Sequence, residues 1–145
     1  MYEKIIVTLC TMKKIISAIA IIMLSALPAV AQVEFSQIAK MDRTVYDFGT
    51  VSQKDGPLKC TFTLTNISDK PLTILAVISS CGCTDVKWTR TGIAPGESGT
   101  IEAVYSNDEG PYPFDKTLTV YVTEVKKPVI LHLRGEVANN KNKRK

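Results

Sequence analysis

The stretch Leu58–Asn66, LKCTFTLTN, places Leu58, Cys60, Phe62 and Leu64 at alternate positions, with Lys59, Thr61, Thr63 and Thr65 between them. Successive side chains of an extended strand point to opposite faces, so a period of two maintained over this length dictates a sheet with one dry and one wet side. Related patterns recur along the chain. TVYDFGTV (Thr44–Val51) sets Tyr46 and Phe48 on one face, and FDKTLTVYV (Phe114–Val122) alternates Leu118, Val120 and Val122 with Thr117, Thr119 and Tyr121. GTIEAVYS (Gly99–Ser106) and PVILHLRGEV (Pro128–Val137) follow the same rule. LTILAVIS (Leu72–Ser79) becomes continuously apolar toward its end, which marks a central or a bulged strand. Thr84–Ile93, with Trp88, is less regular and has room for a short edge strand. ISDKP, APGES and NDEGPYP are turn segments. About seven short strands, separated by turns roughly every 8–12 residues, predict an all-β, Ig-like antiparallel β-sandwich, with a small barrel as the competing architecture.

The first 31 residues follow a different logic. Lys13 and Lys14 precede the apolar run Ile15–Leu27, Pro28 breaks it, and Ala29-Val30-Ala31 supplies small residues ahead of Gln32. A basic start, a short apolar run and an A-x-A end predict a secretory signal peptide over 1–31, with Met12 as an alternative start. Cys10 precedes the apolar run and no cysteine lies near Ala31, so a lipid-anchored product is not expected. The reading is an exported protein, periplasmic or cell-surface, without a transmembrane anchor after cleavage. It divides the rest of the chain into a linker at 32–43, a sandwich domain at 44–138 and a basic, disordered tail at 139–145.

That tail decides what the charge means. The formal net charge is +4, but Lys141, Lys143, Arg144 and Lys145 all sit in the last five positions. Without them the exported domain is slightly acidic, so the charge balance gives no reason to expect nucleic-acid binding.

In chain order, YDFGTV, FTLTNISDKPLTI, SSCGCT, IAPGESGTI, FDKTLTVYV and LHLRGEV resemble a bacterial exported family of unknown function. Its domain is an Ig-like sandwich of the type shared with the major sperm protein and Hydin. The resemblance covers about Thr44–Val137, and its most specific element is Ser80-Cys81-Gly82-Cys83-Thr84. What it implies is mostly fold; it brings no established reaction and no ligand residues. By analogy, related sandwiches serve as interaction and scaffolding modules. Cys60 departs from the family, whose second strand usually carries an ordinary residue there.

Four readings of Cys81, Gly82 and Cys83 follow from the residues. A bridge from Cys60, on the inward face of its strand, to Cys81 or Cys83 ranks first, because the chain turns after Asn66 and runs back to a similar height. A Cys81–Cys83 bridge needs a tight turn, for which Gly82 supplies tolerance of positive φ. A metal site at the two thiolates would suit Cu(I), with Cys60, Met41 and His132 as the remaining donors of suitable type. In the fourth reading the cysteines are small apolar fillers at a corner. His132, between Leu131 and Leu133, is expected on the outer face and away from any site. Asp108-Glu109 reads as a solvated turn, and Trp88 as packing at the sandwich end rather than, with Tyr112, a sugar-stacking surface. No base is expected within reach of the sulfurs, so the chain does not read as an enzyme. Two functions remain: an interaction or structural module that binds another envelope or extracellular protein through loops or an exposed edge strand, and a thiol redox or copper protein using Cys-Gly-Cys.

Overall fold

The computed structural model describes residues 32–138, so the signal peptide expected at 1–31 and the basic tail at 139–145 lie outside the described residues. A single helical turn, α1 (Phe35–Ile38), leads into β1 (Ala39–Met41), β2 (Val45–Val51), β3 (Leu58–Asn66), β4 (Ile74–Ser79), β5 (Thr84–Trp88), β6 (Ser98–Tyr105), β7 (Pro113–Val122) and β8 (Val129–Val137). These strands form two four-stranded sheets, with strand orders β1-β3-β6-β5 and β2-β8-β7-β4. The alternating residues read from the sequence supply the core. Phe62, Leu64, Ile101, Ala103, Leu118, Val120, Leu131 and Leu133 are buried without measurable exposure. Tyr46, Phe48, Phe62, Phe114 and Tyr105 form a chain of ring contacts through it, with centroids 4.7–6.3 Å apart.

Two features depart from the sequence reading. The described residues hold eight strands, because β1 lies within the segment expected as a linker and pairs antiparallel with β3, Ala39 opposite Asn66. A three-residue strand is too short to show a period. One pair is parallel rather than antiparallel: β2 runs alongside β8, Val45 opposite His132. These two strands are far apart in sequence and need no hairpin, so nothing local forces them to be antiparallel. Of the two alternatives for the Leu72–Ser79 run, the structure takes the bulged one: β4 is bulged between Ile74 and Ala76 and lies at the edge of its sheet.

Buried polar groups brace the turns. Asn66 is fully buried; its Nδ2 donates to the carbonyls of Lys70 (2.7 Å) and Ile93 (2.8 Å), and its Oδ1 accepts from the backbone N–H and hydroxyl of Ser68. Asn107, also buried and at φ 59°, donates to the carbonyls of Ser52 and Gly56 and so holds the β6–β7 loop against the β2–β3 connection.

Candidate functional site

The Cys-Gly-Cys motif is the corner where the chain leaves one sheet for the other. β4 belongs to the β2-β8-β7-β4 sheet and β5 to its partner, and Ser80–Cys83 makes the crossing. Hydrogen bonds fix both ends of this corner. Ser80 exchanges bonds with Thr117: its N–H donates to the Thr117 carbonyl at 2.9 Å, and its Oγ accepts from the Thr117 N–H at 3.0 Å. On the far side the Ser106 N–H donates to the Cys83 carbonyl at 2.9 Å. Ser79 Oγ donates to the Cys81 carbonyl at 2.9 Å.

Within this corner Cys81 and Cys83 form a disulfide, with their Cα atoms 5.2 Å apart. Cys60 is a free, buried thiol. The bridge from Cys60 expected from the sequence is therefore absent, and the topology explains why. Cys60 pairs with Ala103 of β6, which pairs on its other side with Val86 of β5. A whole strand thus separates Cys60 from the strand that follows Cys83. Two strand spacings are about 9–10 Å, beyond the roughly 7 Å Cα separation that a disulfide spans. Burial pushes the Cys60 thiol up to about 11, against a weaker downward pull from Arg43.

Gly82 serves the corner differently from expectation. It is not among the glycines with positive φ, and a Cβ built on it meets nothing within 4 Å. The bridge therefore closes with ordinary backbone angles at this position. Because it spans only three residues, its chain-entropy contribution to stability is roughly 1.5 kcal/mol.

The expectation that no proton acceptor stands near the sulfurs is also corrected. A Glu109 carboxylate oxygen and the two Sγ atoms all lie within 4.8 Å of one another. Glu109 comes from the β6–β7 loop that Asn107 anchors, and it is no simple solvated turn residue. Its Oε2 accepts from the Tyr105 hydroxyl at 3.1 Å and from Lys116 Nζ. The Lys116 hydrogen bond, opposed by slight desolvation and aided by Tyr105, holds Glu109 below the ordinary carboxylate range. Burial, reinforced by the Glu109 bond, pushes Tyr105 up to about 12. The buried Thr84 hydroxyl lies 3.6 Å from Cys81 Sγ and 3.9 Å from Cys83 Sγ; bridged sulfurs carry no hydrogen, so the hydroxyl is the donor. Neighbour Asp108 accepts from Ser106 Oγ at 2.5 Å. Thr84, Tyr105, Glu109 and Lys116 come from β5, β6, the β6–β7 loop and β7, and no spacing in the sequence announces their convergence.

The copper reading loses its other donors. Met41 lies on β1, at the opposite edge of its sheet from β5. His132 faces outward as expected and is occupied, its Nδ1 2.8 Å from Asp115 Oδ1, while Arg134 Nε donates to Asp115 Oδ2. While Cys81 and Cys83 are bonded to each other, neither is the thiolate that a metal requires. Trp88 has the packing role expected of it, at the seam between β4 and β5. Its Nε1 donates to the Ile74 carbonyl at 3.2 Å, and the Arg90 guanidinium lies 3.7 Å above its ring.

A second feature lies on the outer faces. On the β1-β3-β6-β5 sheet, Lys59, Thr61, Asp85, Lys87 and Glu102 face solvent. On the other sheet, Ile78 of β4 lies opposite Thr119 of β7, which lies opposite Ile130 of β8. Tyr121 pairs with Ala76 in the adjoining row, and Val45 adds to this side. Ile78 is 55% exposed and Ile130 41%.

Two stacked four-stranded sheets make an Ig-like β-sandwich, a fold similar to that of the major sperm protein. By its sequence the chain belongs to the DUF1573 family of proteins of unknown function, whose family model matches residues 39–137. No curated protein matches it. Among solved structures it is similar to a protein of unknown function from Porphyromonas gingivalis W83, with 18% identity, TM-score 0.59, and coverage of 77% of this chain and 51% of that one. It is also similar to the VesB protease of Vibrio cholerae, with 20% identity, TM-score 0.56, and coverage of 70% of this chain and 32% of that one. WR4, a major sperm protein family member from C. elegans, shares 14% identity at TM-score 0.50 over 70% of this chain and 98% of its own. The chain thus spans about half of the P. gingivalis protein and a third of VesB, and these likenesses concern the fold alone.

Proposed function

We propose that this chain is an exported, non-catalytic interaction module that docks another envelope or extracellular protein on the outer face of its β2-β8-β7-β4 sheet. The observation that carries this reading is the set of exposed apolar side chains on this face, Ile78, Ile130 and Tyr121 around Thr119, beside the Asp115–His132–Arg134 cluster; the outer face of the other sheet carries Lys59, Asp85, Lys87 and Glu102 instead. Contiguous apolar side chains on a solvent face are the material of docking surfaces, whereas singly scattered ones carry no such meaning.

The edges argue for the face rather than for strand addition. β2 is irregular between Asp47 and Thr50, and β4 between Ile74 and Ala76. β1 has three residues, and β5 carries Asp85 and Lys87 and is capped by the Trp88 seam. Short, bulged or charged edges are the devices that discourage pairing with a foreign strand. Export is supported by the signal-like N-terminus and by a disulfide of the kind that persists in oxidising compartments.

The test is site-specific photo-crosslinking in the producing cell. A crosslinker at position 78 or 130 is expected to trap one discrete partner, and one at Lys59 or Lys87 is not. The double variant Ile78→Lys, Ile130→Lys is expected to weaken that capture at least tenfold without lowering the melting temperature. Equal capture from both faces, or none from either, defeats the reading.

A further inference from the structure

We infer that the Cys81–Cys83 bridge is a reversible thiol–disulfide couple that accepts two electrons from a dithiol of another exported protein, with Glu109 and Thr84 positioned on its sulfurs.

Three observations converge. The bridge is at the surface: Ser80 and Gly82, on either side of Cys81, are exposed, and both cysteines are half-exposed. The corner does not depend on the sulfurs for its shape, because Ser79, Ser80 and Ser106 hold it to both sheets by backbone and hydroxyl bonds. And the sulfurs have polar company, since Thr84 points its hydroxyl at both and a Glu109 oxygen stands within 4.8 Å of each. A structural bridge joins distant segments and is shielded; this one joins residues two apart and is open.

Cys83 packs against the core, so the more outward Cys81 sulfur receives the attack. A partner thiolate forms a bond to Cys81 Sγ, and the Cys81–Cys83 bond breaks. The electron pair leaves with Cys83 Sγ, which takes up a proton. The partner's second thiolate then attacks its own sulfur in the mixed disulfide and expels Cys81, which is protonated in turn. Two partner thiols become one partner disulfide, and the bridge becomes two thiols. Glu109 is the titratable group beside the sulfurs; Lys116 and Tyr105 are bonded to it, and Asp108 and Tyr112 lie within electrostatic reach of Tyr105. The Glu109 charge favours the protonated thiol, and Lys116, paired to Glu109, offsets part of that effect.

The experiment uses the full exported chain, titrated with dithiothreitol and with a reduced Cys-x-x-Cys peptide under native conditions. Thiols are counted by alkylation and intact mass. Two thiols are expected to open while Cys60 stays unmodified, with an unchanged far-UV spectrum and a melting temperature lowered by less than about ten degrees. A bridge that resists both reductants until the domain unfolds, or whose opening unfolds it, overturns the inference. Cys83→Ser is expected to take up one glutathionyl group at Cys81 from oxidised glutathione, releasing one reduced glutathione, faster than Cys81→Ser takes one up at Cys83; equal or reversed rates overturn the assignment of the attacked sulfur. In Glu109→Gln the pH profile of alkylation of the reduced pair is expected to move down by about half a unit to one unit. An unmoved profile removes Glu109 from the site. Loss of exchange with partner capture at the apolar face intact, or the reverse, separates this activity from the docking function.

Discussion

Cys60, on β3, and Cys81, in the β4–β5 corner, are the same residue type, yet their surroundings give them opposite chemistry. Cys60 is enclosed, and burial pushes its thiol up to about 11. The native chain is expected to resist iodoacetamide at this position at pH 8 and to react fully in denaturant, as peptide mass mapping will show. Gly82 offers a second test. The sequence motivates it by positive φ, but the structure holds it at ordinary φ in open space. Gly82→Ala is therefore expected to keep the bridge and to change stability by no more than about 0.5 kcal/mol in a thermal melt. Asn66 is the contrary case, a polar residue that the alternation does not single out. Its amide satisfies the Lys70 and Ile93 carbonyls and its oxygen serves Ser68. Asn66→Ala is expected to cost about 2–4 kcal/mol in denaturant unfolding, because it strands buried acceptors.

Strands were legible from local pattern wherever one face is wet. β3 matches its expected span, and β7 and β8 match theirs to within one residue, because their alternation is uninterrupted. β1 was not legible: three residues carry no period, and its pairing with β3 is decided by the partner. The seam between β4 and β5 is equally non-local. It rests on the Trp88 Nε1 bond to Ile74 and the isolated bridge between Leu72 and Ile93. Trp88→Ala is expected to lower stability by about 2–4 kcal/mol and to speed hydrogen exchange in β4 and β5 before β7 and β8. Uniform exchange across both sheets counts against this seam.

Charge acts on the molecule as a whole. Asp42, Glu109 and Asp115 all lie below their ordinary values. For Asp42 and Asp115 burial alone would raise them, and hydrogen bonds from Thr63 and Arg43, or from His132 and Arg134, outweigh it; for Glu109 the Lys116 bond leads. Carboxylates depressed in the fold contribute stability that is present above the unfolded value, near 4, and lost as pH falls through the folded value. Cys60 and Tyr105, raised to about 11 and about 12, contribute stability that is complete below their unfolded values and lost as pH climbs toward the folded ones. The melting temperature is therefore expected to be flat between about pH 5 and 8, to fall below about pH 4 and again above about pH 9. Cys60→Ala should remove the earlier part of the alkaline fall. By itself the sequence determined the class of fold, the wet and dry face of each long strand and the outward placement of His132, because each follows from alternation within one segment. Which sulfur pairs with which, and the meeting of Glu109, Lys116 and Thr84 around them, were decided only by the tertiary structure. They depend on which strand lies between two others, and strand order is a global free-energy choice that no local period encodes.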